Sequence, residues 1–105
     1  MDLFKKIINK EIPADIIYED KDIVAFSDIN PKRPGHFLVV PKKHSTNLMD
    51  ISDEDLIKII IITKKLANNL IKKMNVSGYN IEINNGKEAG QEIFHTHIHV
   101  IPTYK

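Results

Sequence analysis

The segment that decides the fold and the chemistry of this chain reads His95-Thr96-His97-Ile98-His99-Val100-Ile101. Histidine alternates with β-branched residues along it, and a period of two predicts a β-strand. Because successive side chains of a strand point to opposite faces, His95, His97 and His99 would share one face at intervals of about 6.6 Å. The residues between them would face a core.

This row of imidazoles admits two kinds of functional site. A purely structural row is unfavourable, because buried ring nitrogens without a partner cost free energy. Histidines two residues apart on a strand can ligate zinc or iron, although three side chains on one straight strand do not readily converge at the roughly 2.0–2.2 Å that a metal needs. In the second kind, a neutral imidazole attacks phosphorus while its neighbours orient it and protonate the leaving group. The glycine-bearing loop 84–90 could then offer backbone N–H groups to phosphate oxygens.

The rest of the chain predicts an antiparallel α+β domain. Asp2 would cap a short helix that Pro13 ends, and Ser52 would cap a long helix that continues to about Met74. Further short runs rich in β-forming residues predict strands at 16–18, 23–26, 36–40 and 79–83. The run that Pro41 stops would be the central strand, because nearly all its positions are apolar. No strand–helix–strand rhythm recurs, which favours an antiparallel sheet.

The long helix predicted from residue 53 is apolar over more than one stripe. A surface helix of a monomer needs an apolar arc of only about 100°. Its apolar positions are 56, 57, 59–62, 66, 67, 70, 71 and 74. We therefore expect a second face of this helix to pack against a partner subunit.

Composition and charge exclude several classes of protein. The 105 residues suit a single domain, 1–105, and a net charge of +1 gives no reason to expect a nucleic-acid or membrane partner. The absence of cysteine excludes disulfides, thiolate metal sites and cysteine nucleophiles. The N-terminus lacks the apolar core of a signal peptide, and the longest apolar run, 59–62, is too short to span a bilayer. We expect a cytoplasmic protein.

The histidine row and its surroundings resemble the histidine-triad (HIT) family. The family signature, His-x-His-x-His followed by two apolar residues, fits the segment that ends at Ile101. The resemblance extends to the blocks 4–14, 26–29, 34–44 and 90–94, and it is closest to the histidine-triad nucleotide-binding (Hint-like) branch. It implies a HIT-like fold, with two helices and a five-stranded antiparallel sheet that is extended across a homodimer.

The resemblance also implies an activity and assigns catalytic residues. Proteins of this branch hydrolyse purine nucleoside phosphoramidates, in which AMP or GMP is joined to an amine, and no cofactor or metal is expected here. His97 would attack the α-phosphorus and form a covalent nucleotidyl intermediate. His99 would contact the phosphate and assist the leaving group, His95 would support the site, and His36 would stand behind it as a fourth histidine.

The substrate contacts follow from the same resemblance. Asp28 would hold the ribose hydroxyls. Asn84 and the backbone of Gly90 would place the phosphate, beside Gln91 and Glu92. Some relatives have serine at the last of these positions, and because a carboxylate repels phosphate we expect its side chain to turn away. The apolar base pocket would consist of Phe4, Ile7, Ile12, Phe26 and Ile29.

Other interpretations of these residues stay open. The apolar ones are compatible with ordinary core packing, Asp28 with turn capping, Asn84 and Gly90 with loop formation, and His36 with a structural role. The chain is also compatible with a dinucleoside polyphosphate hydrolase of the same superfamily, although such proteins tend to carry glutamine in place of Asn84. A nucleotide-binding or scaffolding dimer with slow turnover and a metal-binding protein are the remaining alternatives.

Overall fold

The computed structural model describes residues 2–73 and 75–105. Its elements in chain order are α1 (Leu3–Ile8), β1 (Ile16–Glu19), β2 (Ile23–Ser27), β3 (Phe37–Pro41), α2 (Asp53–Lys73), β4 (Val76–Glu82), a 3₁₀ turn (Lys87–Ala89) and β5 (Ile98–Tyr104). The strands form one antiparallel sheet in the order β1-β2-β3-β5-β4. The predicted α+β class, with five strands and two helices, is confirmed, and β3 is the central strand.

The first helix has the predicted cap, but it ends before the predicted terminator, Pro13. Asp2 caps it, since its Oδ1 accepts a hydrogen bond from the N–H of Lys5 at 2.8 Å. The helix ends at Ile8 and not at Pro13, because Lys10 adopts a left-handed conformation with φ 62°. The N–H of Glu11 then donates to the carbonyl oxygen of Lys6 at 2.8 Å, which closes the last turn.

The last two strands are also displaced from their predicted bounds. β5 begins at Ile98, three residues after His95, and continues to Tyr104. The N–H of Thr96 donates to the carbonyl oxygen of Ser45 at 2.8 Å, so the start of the histidine segment is tied to the loop after β3 and not to the sheet. The strand predicted at 79–83 spans Val76–Glu82.

The long helix packs against one face of the sheet. Ser52 caps it, accepting from the N–H of Asp55 at 3.1 Å, and α2 is described as far as Lys73. The predicted end at Met74 lies outside the described residues. The buried core between this helix and the sheet consists of Ile23, Ala25, Phe37, Val39, Ile59, Ala67, Ile98 and Val100.

The opposite face of the sheet carries α1 and the second core. Alternate residues of β2 and β3 point to this side, as the period of two requires. The buried residues here are Phe4, Ile7, Val24, Phe26, Leu38 and Val40. His99 of β5 is in register with Leu38 of β3 and Glu82 of β4, so its side chain points to the α1 side.

The outer face of α2 is apolar and exposed, as the broad apolar arc predicts. Its exposed isoleucines are Ile57, Ile60, Ile61 and Ile71. Ile81 adds to them on β4, which is an edge strand of the sheet. Within residues 2–73 and 75–105, no helix combines the length and the apolar character needed to cross a membrane.

Candidate active site

A cavity of about 450 Å³ opens on the α1 side of the sheet. Its volume is within the range of small-molecule sites. Of the residues predicted to contact substrate or to act in catalysis, the cavity wall contains Phe4, Ile7, Ile12, Phe26, Asp28, Ile29, Asn84, Gly90, Glu92, His97 and His99. His36, His95 and Gln91 do not reach the cavity and lie buried behind its wall.

The cavity wall also contains residues that the sequence interpretation missed. They are Leu3, Pro13, Ala14, Ser27, Asn30, Lys32, Leu38 and Ile93. Leu38 could have been found, because its position in the alternating strand β3 places it on the same face as Phe26 of β2. The side chain of Lys32 is largely exposed, and its Nζ lies 3.2 Å from Oε2 of Glu82, the register neighbour of His99.

His97 presents an unprotonated nitrogen as a nucleophile. Its Nδ1 lies 2.7 Å from the carbonyl oxygen of His95. A carbonyl oxygen can only accept, so Nδ1 carries the hydrogen and Nε2 keeps its lone pair. Phe4 contacts the ring edge-on, with centroids 4.9 Å apart. Burial lowers the pKa of His97, so the ring is neutral and nucleophilic at pH 7.

His99 lies beside His97, with ring centroids 4.9 Å apart, and hydrogen bonding fixes its tautomer. The N–H of Lys32 donates to Nδ1 of His36 at 3.1 Å, so neutral His36 carries its hydrogen on Nε2. This Nε2 lies 3.0 Å from Nδ1 of His99 and donates to it. Neutral His99 therefore carries its own hydrogen on Nε2. Burial, together with His97 and His36, lowers the pKa of His99 to about 4.

Asp28 combines a turn contact with a position in the cavity wall. Its Oδ1 accepts from the N–H of Asn30 at 2.9 Å, which is the turn capping that the sequence allows. Its Oδ2 lies 3.4 Å from Nε2 of His36. Burial lowers the pKa of His36, and the carboxylate of Asp28 partly opposes this. The turn interpretation and the site interpretation of Asp28 are therefore compatible.

His95 supports the site from behind. The ring is fully buried and its Nε2–H donates to the carbonyl oxygen of Pro41 at 2.7 Å. Its Nδ1 has no hydrogen-bond partner and lies 3.4 Å from Oδ2 of Asp2. Its contribution to the site is the backbone carbonyl that orients His97.

Two groups of side chains have the close spacing that a metal site would need. They are Asp2, His44 and His95, and Asp28, His36 and His99, with ligand atoms within 4.8 Å of one another. In each group one imidazole Nε2 already serves as a hydrogen-bond donor. That of His44 donates to the carbonyl oxygen of Phe94 at 3.0 Å, and that of His36 donates to His99. His36 and His99 of the second group are thus hydrogen-bonded to each other, whereas in the first group His44 and His95 bond to backbone carbonyl oxygens.

The loop before the histidine row is held by a single buried amide. The Gln91 Oε1 accepts from the N–H of Gly86 at 2.9 Å and from Nδ2 of Asn47 at 3.1 Å. Its Nε2 donates to the carbonyl oxygens of Thr46 and Ile93, at 2.6 Å and 3.1 Å. The predicted substrate contact of Gln91 is thus replaced by a structural role, because its polar atoms are already used.

The backbone donors of this loop also differ from the prediction. The N–H of Gly90 donates to the carbonyl oxygen of Lys87 at 3.1 Å, so it is not free to bind phosphate in this conformation. The N–H of Gln91 donates to Gly86 in the same way. For the N–H of Glu92, the described residues provide no acceptor. The N–H of Glu92 is therefore an available backbone donor at the cavity wall.

The fold and the histidine row define a histidine-triad protein. The HIT domain family model matches residues 9–105, and the chain belongs to that family. A HIT-like protein of 13.1 kDa from Mesomycoplasma hyorhinis is 51% identical over 104 residues, which are 99% of this chain and 94% of the relative. The adenosine 5'-monophosphoramidase HNT1 of Saccharomyces cerevisiae is 46% identical, over 95% of this chain and 61% of the yeast protein.

The fold is shared with solved structures of the family. A crystal structure of a Hit-like protein from Bartonella henselae superposes with a TM-score of 0.95 and 39% sequence identity. The match covers 99% of this chain and 81% of that one. The predicted family membership and the HIT-like fold are therefore confirmed.

Proposed function

We propose that the protein is a purine nucleoside phosphoramidase that acts at the α-phosphorus through a nucleotidyl-His97 intermediate. The observation that carries the proposal is the tautomer of His97. Because the Nδ1 hydrogen is donated to the carbonyl oxygen of His95, the reactive lone pair is on Nε2 of a ring that lines the cavity.

The reaction divides into two displacements at phosphorus. First, Nε2 of His97 forms a bond to phosphorus, the phosphorus–nitrogen bond to the leaving amine breaks, and His99, protonated beforehand from solvent, gives its Nε2 proton to the amine and becomes neutral. Water then attacks phosphorus, His99 takes a proton from it, and the bond to His97 breaks. The products are a nucleoside monophosphate and the free amine.

The cavity suits a purine nucleotide conjugate. Its apolar part, which includes Phe4, Ile12 and Phe26, would take the base, and Asp28 would accept hydrogen bonds from the ribose hydroxyls. For the phosphate, the side-chain amide of Asn84 keeps its predicted role, and the N–H of Glu92 takes the place of the Gly90 backbone. The activity named for the yeast relative at 46% identity supports the same reaction class for this chain.

The test is intact mass spectrometry after brief mixing with an adenosine 5'-phosphoramidate and quenching. We expect the His99→Ala variant to accumulate one adenylyl group, and the His97→Ala/His99→Ala variant to carry none. The matched control is His44→Ala/His99→Ala, because His44 does not line the cavity, and it should keep the adduct. An adduct that persists without His97, or turnover by His97→Ala at the wild-type rate, contradicts the mechanism.

A comparison of turnover rates separates this function from dinucleoside polyphosphate hydrolysis. A diadenosine polyphosphate supplied at equal concentration should be turned over more slowly than the phosphoramidate. Faster turnover of the polyphosphate would move the assignment to the dinucleoside polyphosphate hydrolases. Binding of AMP without turnover of either compound would favour a nucleotide-binding module.

We also propose that the protein is a homodimer in which the outer face of α2 and the edge strand β4 meet their counterparts. Four isoleucines of α2 are exposed, and so is Ile81 of the neighbouring strand β4. Exposed large apolar side chains that cluster in this way are characteristic of protein interfaces. An edge strand next to it can extend the sheet into a second subunit.

A further inference from the structure

Asp28, His36 and His99 form a polar cluster where three strands of the sheet come together. Asp28 directly follows β2, and its N–H donates at 3.0 Å to the carbonyl oxygen of His36, which directly precedes β3. His99 is on β5, in register with Leu38 of β3. The pairing of the strands therefore brings the three side chains together.

The distances in this cluster are those of a connected network. Nε2 of His36 lies 3.0 Å from Nδ1 of His99 and 3.4 Å from Oδ2 of Asp28. Nδ1 of His99 and Oδ2 of Asp28 are 4.0 Å apart. The other carboxylate oxygen, Oδ1, is held by the N–H of Asn30. Oδ2 is thus the atom of Asp28 that faces the histidine pair.

An added proton changes the hydrogen bonding of the pair. In the neutral pair, the Nε2–H of His36 donates to Nδ1 of His99. When His99 takes up a proton from solvent, it carries hydrogens on both Nδ1 and Nε2, and Nδ1 no longer accepts. Two N–H groups then face each other, and Oδ2 of Asp28 is an acceptor within 4.0 Å of both nitrogens.

The charges around the pair leave Asp28 as its counter-ion. Burial has the largest effect on both rings and lowers the pKa of each. His97 lowers the pKa of His99 further, and Lys32 lowers that of His36 further. His36 itself also lowers the pKa of His99. Asp28 and Glu82 act in the opposite direction on both rings. Because Glu82 is paired with Lys32 at 3.2 Å, its charge is already compensated.

Resting on the phosphoramidase function above, we propose that Asp28 is a positioning residue for protonation of the leaving group, besides contacting the ribose. Its Oδ2 accepts the extra N–H of the His36–His99 pair while the pair holds the proton for the amine. In the first displacement, that proton passes from Nε2 of His99 to the amine as the phosphorus–nitrogen bond breaks. Asp28 stays negatively charged throughout, and its Oδ2 goes on accepting from the Nδ1–H of His99, so that Nε2 of His99 keeps a lone pair that takes a proton from water in the second displacement.

The experiment compares two leaving groups on one nucleotide in wild type and Asp28→Asn. One substrate is an alkylamine phosphoramidate of AMP, whose leaving group must be protonated, and the other is the 4-nitrophenyl ester of AMP, whose leaving group needs no proton. A lost ribose contact lowers kcat/KM equally for both. We expect Asp28→Asn to lower kcat/KM for the amide about tenfold more than for the ester.

The pH profile gives a second readout. Without the carboxylate charge, the pKa of the protonated pair falls, so the alkaline limb of kcat for the amide should move to lower pH. Asn can still accept the hydrogen bond from Asn30, and Asp28→Glu keeps the charge, so Asp28→Glu should retain more of the amide activity than Asp28→Asn. Glu82→Gln is the matched loss of a nearby charge, and its amide-to-ester ratio should stay within about twofold of wild type.

The outcomes separate this inference from the function on which it rests. An equal loss with both substrates and an unmoved alkaline limb would make Asp28 a ribose contact alone and overturn the inference, while the phosphoramidase function would stand. Loss of wild-type amide turnover on treatment with a chelator would also overturn it, because a metal would then occupy the cluster. Wild-type protein that turns over neither substrate would overturn both proposals.

Discussion

The hydroxyl oxygens of Ser45 and Thr96 lie 2.6 Å apart in the buried layer behind the cavity. The backbone of the same pair is joined, since the N–H of Thr96 donates to the carbonyl oxygen of Ser45. These contacts anchor the segment between His95 and His97 to the loop after β3. The position of the nucleophile therefore depends on a neutral hydrogen bond between residues far apart in sequence.

We expect Thr96→Val to lower the free energy of unfolding by roughly 1–3 kcal/mol, because it leaves the buried hydroxyl of Ser45 without its partner. Urea unfolding at pH 7.5 measures the change. The double variant Ser45→Ala/Thr96→Val should recover part of the loss, since neither hydroxyl is then left unpaired. If the double variant loses as much stability as Ser45→Ala and Thr96→Val lose together, the hydrogen bond is not the cause.

Stability should fall as the pH drops below neutral. The pKa of His99 is about 4 in the folded protein, and an unfolded histidine titrates near 6.5. Between these values the unfolded chain binds a proton that the folded chain does not, so acid favours unfolding. From His99 alone, we expect a loss of about 2 kcal/mol between pH 7.5 and pH 5.

Urea unfolding at the two pH values, for wild type and for His99→Gln, checks this effect. Glutamine does not titrate, so the variant should lose less stability on acidification, by about the amount assigned to His99. His36, His95 and His97 also have lowered pKa values and account for further loss in both proteins. Equal losses in wild type and variant would contradict the low pKa of His99.

The sequence predicted the sheet and the helices because their periodicities are local properties. The register of β2 and β3 in the structure puts Phe26 and Leu38 on one face, whereas the sequence assigned only Phe26 to the pocket. The start of β5 could not be predicted in this way. It depends on hydrogen bonds between Thr96 and Ser45, which are 51 residues apart.

Buried polar contacts explain the other differences between prediction and structure. Gln91 has a polar amide that could contact substrate, yet this amide forms hydrogen bonds to loops as many as 45 residues away in sequence. The N–H of Gly90 is hydrogen-bonded within a 3₁₀ turn, and no periodic pattern in the sequence predicts that turn. Side-chain hydrogen bonds of this kind depend on tertiary structure, whereas the resemblance of motifs identifies residues without showing which of their atoms are free.

Two glycines of the loop before the histidine row allow a controlled test of its role. Gly90 has φ 97° and lines the cavity, and a Cβ there would lie 3.7 Å from Nδ2 of Asn84. That contact is of ordinary length, so Gly90→Ala should cost roughly 1–2 kcal/mol through backbone strain alone. Because the strained segment holds Asn84 and Glu92, we also expect kcat/KM to fall roughly tenfold.

The matched variant is Gly86→Ala. Gly86 has φ 103° and ψ 153°, a conformation almost confined to glycine, so its replacement should cost about 1–3 kcal/mol. A Cβ there meets nothing within 4 Å, and Gly86 does not line the cavity. Unfolding midpoints and kcat/KM of both variants should show the greater stability loss at Gly86 and the greater activity loss at Gly90. The reverse order for activity would remove the Gly90 segment from the site.

The exposed face of α2 provides the test of the dimer. Ile57 and Ile61 are one helical turn apart and are 58% and 47% exposed, so charges placed there would have to be buried in an interface. We expect Ile57→Glu/Ile61→Glu to have the mass of a single chain by multi-angle light scattering, while wild type has the mass of two. Ile17→Glu is the control, since this residue is 45% exposed on β1, at the opposite edge of the sheet, and its variant should remain dimeric. If the double variant stays dimeric while Ile17→Glu is monomeric, the interface is at β1. If wild type is monomeric, the homodimer proposal is wrong.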